Sequence, residues 1–183
     1  MLRVSSAAMR SAARRTSSAL AISGLPTRRF AFEAFLPADK GERAAVLQEL
    51  QREMRTIVLY EAPHRLLKTL KELRDCLGEE RRISLVRELT KIHEEVRRST
   101  LGEEVALYEA PGGAELIRGE YVLVIEGRDP EESRREEAAR WESMSVAEHV
   151  AMYEEQGMDR KEAMRNAAKD RCVSRRDIYQ ALL

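Results

Sequence analysis

What most constrains this chain is the change of pattern at Pro63. Residues 55–62, "RTIVLYEA", are a short apolar run of the kind that forms a strand buried on both faces. The residues that follow, "PHRLLKTLKELRDCLG", carry proline in the first turn and Gly78 just past the end, the asymmetry of a helix. The alternation recurs along the chain. "RFAFEAFL" (29–36) reads as a strand ended by Pro37, and "DKGERAAVLQELQREM" reads as a helix with apolar residues one turn apart at 46, 47 and 50. "RRISLVREL" (81–89) and "GEYVLVIEG" (119–127) are further strands. Between them lie an extended piece around Val96 and a short helix near 101–109. Strands alternating with helices predict an α/β layer with at least partly parallel pairing.

The chain has 183 residues, enough for one ordinary domain and a small appendage. Lys+Arg and Asp+Glu are equal at 32 each, which argues against a general nucleic-acid coat and leaves room only for local basic patches. Charged residues make up 35% and aromatics 5%, so the core must be built mainly of Leu, Val, Ile and Ala. Two cysteines in unrelated contexts, Cys76 and Cys172, suit a reducing compartment and give no disulfide or metal framework. No apolar stretch has the length of a membrane span. Residues 1–17 form a separate leader: "MLRVSSAAMRSAARRTSSAL" is rich in Arg and Ser, and the first acidic residue is Glu33. That composition fits a transit peptide and also arises by chance, so a mitochondrial location stands as the alternative to a cytoplasmic one.

At residue 128 the character changes. Residues 128–144 read as an exposed charged linker. Residues 145–183 regain periodicity and divide into three short helices: Ser145 caps the first with Glu148 three residues on, Gly157 ends it, Asp159 caps the second and Ser174 the third. Such a bundle resembles a helix-turn-helix unit, which is structural more often than it contacts nucleic acid.

Polar groups gather where strands should end. "YEAPHR" (60–65) follows one strand, "RELTKIHEE" (87–95) the next, and Glu126 and Gly127 the last. Ligands of open α/β sheets bind beyond the carboxyl ends of the strands, so two charged clusters at two such ends predict a single rim. Each also has a plain alternative: "RELTKIHEE" as a solvated run of paired charges, His64 and His93 as ordinary surface histidines. No spacing suggests a metal site, and no GxSxG, P-loop or GxGxxG motif is present.

In this order and spacing, "SGLPTRRFAFEAFLP" (23–37), "KGER" (40–43), "YEAPHR", "RELTKIHEE" and "GEYVLVIEG" resemble the second half of the bacterial 16S ribosomal RNA (cytidine 2′-O)-methyltransferase family, a branch of the tetrapyrrole methylase superfamily. The resemblance covers residues 18–127, and residues 145–183 are similar to that family's small C-terminal helical domain. It implies a tetrapyrrole-methylase-like second domain, a mixed sheet flanked by helices, followed by an all-α domain. It further implies methyl transfer from S-adenosylmethionine to a ribose 2′-hydroxyl in small-subunit ribosomal RNA, by a homodimer, without a metal and away from membranes. Members carry an N-terminal domain, holding much of the cofactor, before the "SGLP" segment. Nothing here matches it, and residues before Ser18 look unlike the family. One wall of a cleft is expected to bind cofactor weakly.

From chemistry and position, Lys91, Glu94 and Glu95 are the catalytic candidates, with either carboxylate accepting the hydroxyl proton. Tyr60, Glu61, Ala62 and Pro63 are expected to wall the cofactor. Arg65, Arg87 and His93 are expected to contact RNA, Arg65 alternatively pairing with Glu88, and Lys91 with Arg87 to hold phosphate. The competing expectation is a non-catalytic relative that binds RNA or dimerises without a cofactor.

Overall fold

A computed structural model describes residues 6–89 and 94–183, the side chains of residues 6–12 and of Glu137 excepted. The candidates Lys91 and His93 lie outside the described residues. The chain divides into two compact units, Met1–Arg128 and Asp129–Leu183.

In the first unit the order is α1 (Ser6–Ser23), β1 (Phe30–Ala34), α2 (Lys40–Arg52), β2 (Thr56–Glu61), α3 (Pro63–Leu77), β3 (Arg82–Arg87), β4 (Glu95–Thr100), α4 (Leu101–Glu109), a 3-10 turn (Gly113–Leu116) and β5 (Tyr121–Ile125). The strands form one sheet in the order β1-β2-β5-β3-β4. Only β1 and β2 are parallel; β5 runs antiparallel to both β2 and β3, and β4 antiparallel to β3. Every residue of β2 and β5 is buried, as expected for central strands with both faces covered. On one face Ile57, Leu59, Leu85, Leu123 and Ile125 pack against Leu50 of α2, Leu66, Leu70 and Leu73 of α3, and Leu101 and Val105 of α4. On the other, Val58, Tyr60, Val86, Val122 and Val124 pack against Ala19 and Leu20 of α1.

Local chemistry explains the helix ends. α3 starts at Pro63 and stops at Gly78, whose φ of 99° suits glycine and whose N–H donates to the Arg74 carbonyl at 2.9 Å. Asp39 caps α2, and Thr100 with Glu103 forms a capping box on α4. α1 runs unbroken through residue 17, where a boundary was expected, and Thr16 is as buried as Ala19 and Leu20.

The second unit comprises α5 (Pro130–Ala139), α6 (Val146–Glu155), α7 (Arg160–Asp170) and α8 (Arg175–Ala181). Ser145, Asp159 and Ser174 are the N-caps of the last three, as their sequence context predicted. α5 arises inside the segment expected to be a linker, and it stays largely exposed. Val150, Ala163, Met164, Ala167 and Ile178 form the core of this unit. Beside them His149 is fully buried, stacked on Trp141 at 3.9 Å between ring centres. Its Nδ1 accepts from Arg171 Nε at 3.1 Å. Burial first, then the Arg171 charge, pulls its pKa below the usual histidine value, so the ring is neutral at pH 7. No described helix is long and apolar enough to cross a membrane.

Candidate functional site

Strand register brings two of the three predicted polar clusters together. Glu61 pairs with Tyr121, Tyr121 with Arg87, and Arg87 with Glu95. These four residues form a row across one edge of the sheet, so Glu61 and Arg87 stand about two strand spacings, ~10 Å, apart. The third cluster is not there. Because β5 is antiparallel, Glu126 and Gly127 lie at the opposite edge, where Glu126 binds Arg82. Strand direction alone sets that third segment apart from the other two.

At the rim a cavity of about 280 Å³ opens beside the end of β2. Its lining includes all four predicted wall residues, Tyr60, Glu61, Ala62 and Pro63, together with Arg15, Phe35, Glu120 and Tyr121. Tyr60 faces α1: its hydroxyl hydrogen-bonds Thr16 Oγ1 at 2.7 Å, its ring meets Phe32 edge-on at 5.3 Å, and the Arg15 guanidinium lies 5.4 Å above it. Arg15 also reaches Glu120 at 3.0 Å, while its Nε is buried without a hydrogen-bond partner.

Glu61 faces the other way and anchors the wall. Its carboxylate accepts from Thr69 Oγ1 at 2.5 Å and from the Ala62 N–H at 2.9 Å, and lies 3.5 Å from Arg65 Nε. Thr69 Oγ1 in turn accepts from Arg43, which pairs with Glu72. Arg65 donates to the Leu36 carbonyl at 2.9 Å, which ties the end of β1 to the start of α3. Arg65 is thus engaged in holding the wall, and His64 beside it is exposed.

Two residues at this edge have left-handed backbones without being glycine, Ala34 at φ 51° and Glu88 at φ 50°. Such conformations cost about 1–3 kcal/mol and persist only where their surroundings impose them. At Glu88 the imposing contacts are visible: its N–H donates to the Glu120 carbonyl, and its carboxylate accepts from the Glu120 N–H at 2.8 Å. Arg87 pairs with Glu95 at 2.7 Å. Glu94 is exposed just before β4.

The sequence reading missed Arg15, Phe35, Leu89, Glu120 and Tyr121 as lining residues. Phe35, Leu89, Glu120 and Tyr121 stand inside quoted motifs, but only the antiparallel course of β5 shows that Glu120 and Tyr121 begin, rather than end, at the rim.

Residues 11–104, just over half of the chain, match the family described as Tetrapyrrole (Corrin/Porphyrin) Methylases. The chain belongs to this family, and its mixed sheet flanked by helices with a helical C-terminal part is consistent with that fold. The match begins at residue 11, inside the segment expected to be unlike the family. Over 163 residues the chain is 41% identical to Ribosomal RNA small subunit methyltransferase I of Bacillus subtilis, covering 89% of this chain and 54% of that protein. It is 42% identical over 167 residues to the protein of the same name from Synechocystis sp., covering 90% and 56%. The chain spans about half the length of the curated relatives it matches. Among solved structures the methyltransferase CobJ superposes with a TM-score of 0.43 at 17% identity, covering 61% of this chain and 47% of that one, a likeness too slight to bear on function.

Proposed function

We propose that this chain forms one wall of the catalytic cleft of an S-adenosylmethionine-dependent enzyme that methylates the ribose 2′-hydroxyl of a cytidine in small-subunit ribosomal RNA. The observation that carries the proposal is the cross-strand row joining "YEAP" to Arg87 and Glu95, beside a cavity, in a chain about 40% identical to ribosomal RNA methyltransferases. The enzyme works in the cytoplasm as a homodimer, with a second wall supplied from outside the residues described.

The cavity suits part of such a cofactor. Phe35, Tyr60, Pro63 and Val122 offer apolar surface to a flat ring or a thioether chain, and Arg15 and Glu120 offer a cation and an anion to its charged end. At about 280 Å³ it lies just below the usual range for a small-molecule pocket, as one side of a cleft should. The cofactor, when bound, supplies an electrophilic methyl group. What this chain supplies is alignment and a route for one proton. Glu94 would accept, directly or through water, the proton that the ribose hydroxyl gives up when the methyl group leaves the sulfonium sulfur, as a neutral thioether, for the ribose oxygen. Glu95 is committed to Arg87 and positions that guanidinium. Lys91 and His93 complete the RNA side, and Arg65 acts by bracing the wall.

Calorimetric titration with S-adenosylmethionine tests the proposal. The chain should bind in the millimolar range, about −4 kcal/mol, and Ala62→Phe, which puts a ring into the cavity, should abolish the heat. Absence of heat in the unaltered chain at millimolar ligand would sink the cofactor assignment. In a full-length relative, loss of the residues matching Lys91 and Glu94 should abolish methylation.

A further inference from the structure

The opposite face of the same rim carries a second cavity, beyond the one assigned to the cofactor. It has a volume of about 280 Å³, and its charged lining is Arg87, Arg97, Arg118 and Glu95, over a floor that includes Tyr108 and Tyr121. The floor is closed: Tyr108 is 4% and Tyr121 3% exposed, and burial, with Tyr121 and Glu104 nearby, raises the Tyr108 pKa far above that of a free phenol. The Tyr108 hydroxyl therefore stays neutral.

Among the described residues, the ion pairs these guanidiniums form are with Glu95, 2.7 Å from Arg87, and the fully buried Glu104, 3.3 Å from Arg97. Arg118 donates its Nε to the Glu115 carbonyl at 3.1 Å and forms no ion pair among the described residues. Arg87 holds a further unspent donor: its Nε is buried with no acceptor. A buried donor of this kind is unfavourable until something accepts from it. Arg87 and Arg118 also line an adjoining hollow of about 370 Å³ with Glu88 and Gly119.

We propose that Arg87, Arg97 and Arg118 form a phosphate-binding subsite for single-stranded RNA. A phosphodiester oxygen satisfies Arg87 Nε and neutralises the surplus charge. The planar fork of a guanidinium suits the bidentate geometry of phosphate better than the point charge of a lysine does. The subsite lies on the face of the sheet opposite Tyr60, so it grips the strand to one side of the reacting nucleotide. The inference rests on the ribosomal RNA reading, and it concerns a contact that carries no sequence information.

The test is the binding of a fluorescently labelled single-stranded oligoribonucleotide to the full chain across a range of salt. Arg118→Gln is the primary variant, because Arg118 is exposed and forms no ion pair among the described residues. It should weaken binding several-fold for every sequence tried and lower the slope of log K against log salt by about 0.7, one phosphate contact on a single strand. Arg97→Lys, which keeps a cation near buried Glu104, should weaken binding in the same direction. Arg74→Gln, remote from the rim, should change nothing. Unchanged affinity and slope in Arg118→Gln, or no binding by the unaltered chain at low salt, would overturn the subsite. The heat of S-adenosylmethionine binding should be the same in Arg118→Gln as in the unaltered chain. Absence of cofactor heat in the unaltered chain therefore refutes the cofactor assignment, and an unchanged salt slope in Arg118→Gln refutes the subsite.

Discussion

At one edge of the sheet, Arg82 at the start of β3 grips both oxygens of Glu126 after β5, Arg55 grips both oxygens of Glu53, and the Arg128 N–H closes on the Glu53 carbonyl at 2.7 Å. A Cβ on Gly127 would overlap the Met54 carbonyl, so the backbones there are in contact. At the other edge stand residues of the same types, yet Arg15 Nε and Arg87 Nε are buried without acceptors, Ala34 and Glu88 are held in left-handed conformations, and cavities open on both faces. Charge at strand ends does not separate the two edges. Unspent donors and stored strain do, and these are the features that mark places built for a ligand.

The contrast can be broken by substitution. The largest effect should come from Gly127→Ala at the closed edge, where the obstacle is backbone. It should lower unfolding free energy in urea by about 3 kcal/mol, as overpacking does, without altering the site of any bound ligand. Glu61→Gln should cost about 2 kcal/mol, because Thr69, Ala62 and Arg65 lose a shared buried anion, and it should also weaken cofactor heat. Gly119→Ala at the rim should cost about 1 kcal/mol, since the clash is with the flexible Glu88 side chain and a φ of 74° must be kept. Arg82→Gln should cost under about 1 kcal/mol, being a partly exposed pair, and should leave RNA and cofactor binding unchanged.

The smallest effect concerns acid. Hydrogen bonds from Arg55 hold the Glu53 carboxyl below its ordinary pKa of 4.5. Its contribution is therefore full above about pH 4.5 and is lost as pH falls through the lowered folded value. Thermal melts of Glu53→Gln should fall less steeply with acidification than those of the unaltered chain. An identical slope would remove this distinction between the edges.

Much of this was legible in the sequence. Continuous apolar runs marked β2, β3 and β5, Pro63 and Gly78 framed α3, and Ser145, Asp159 and Ser174 placed the last three helices, because each is a local signal. Strand direction is not local. Nothing in "GEYVLVIEG" says that β5 descends between two strands that ascend, so Glu126 was grouped with the polar strand ends and Tyr121 was passed over. The phosphate subsite was hidden for the same reason: Arg97 and Arg118 are 21 residues apart and look like solvated charges until β4 and the turn before β5 bring them to one cavity. α5 was missed although Asp129 and Pro130 form a helix start, because its helix has no apolar stripe to announce it.

The account stands on one edge of the sheet being the ligand edge. Backbone amide resonances followed during a titration with S-adenosylmethionine test this residue by residue. Shifts should concentrate at Tyr60, Glu61, Ala62, Tyr121 and Val122, with Arg82, Glu126 and Gly127 unmoved. Shifts at the Arg82–Glu126 edge, or none at the rim at millimolar cofactor, would contradict it.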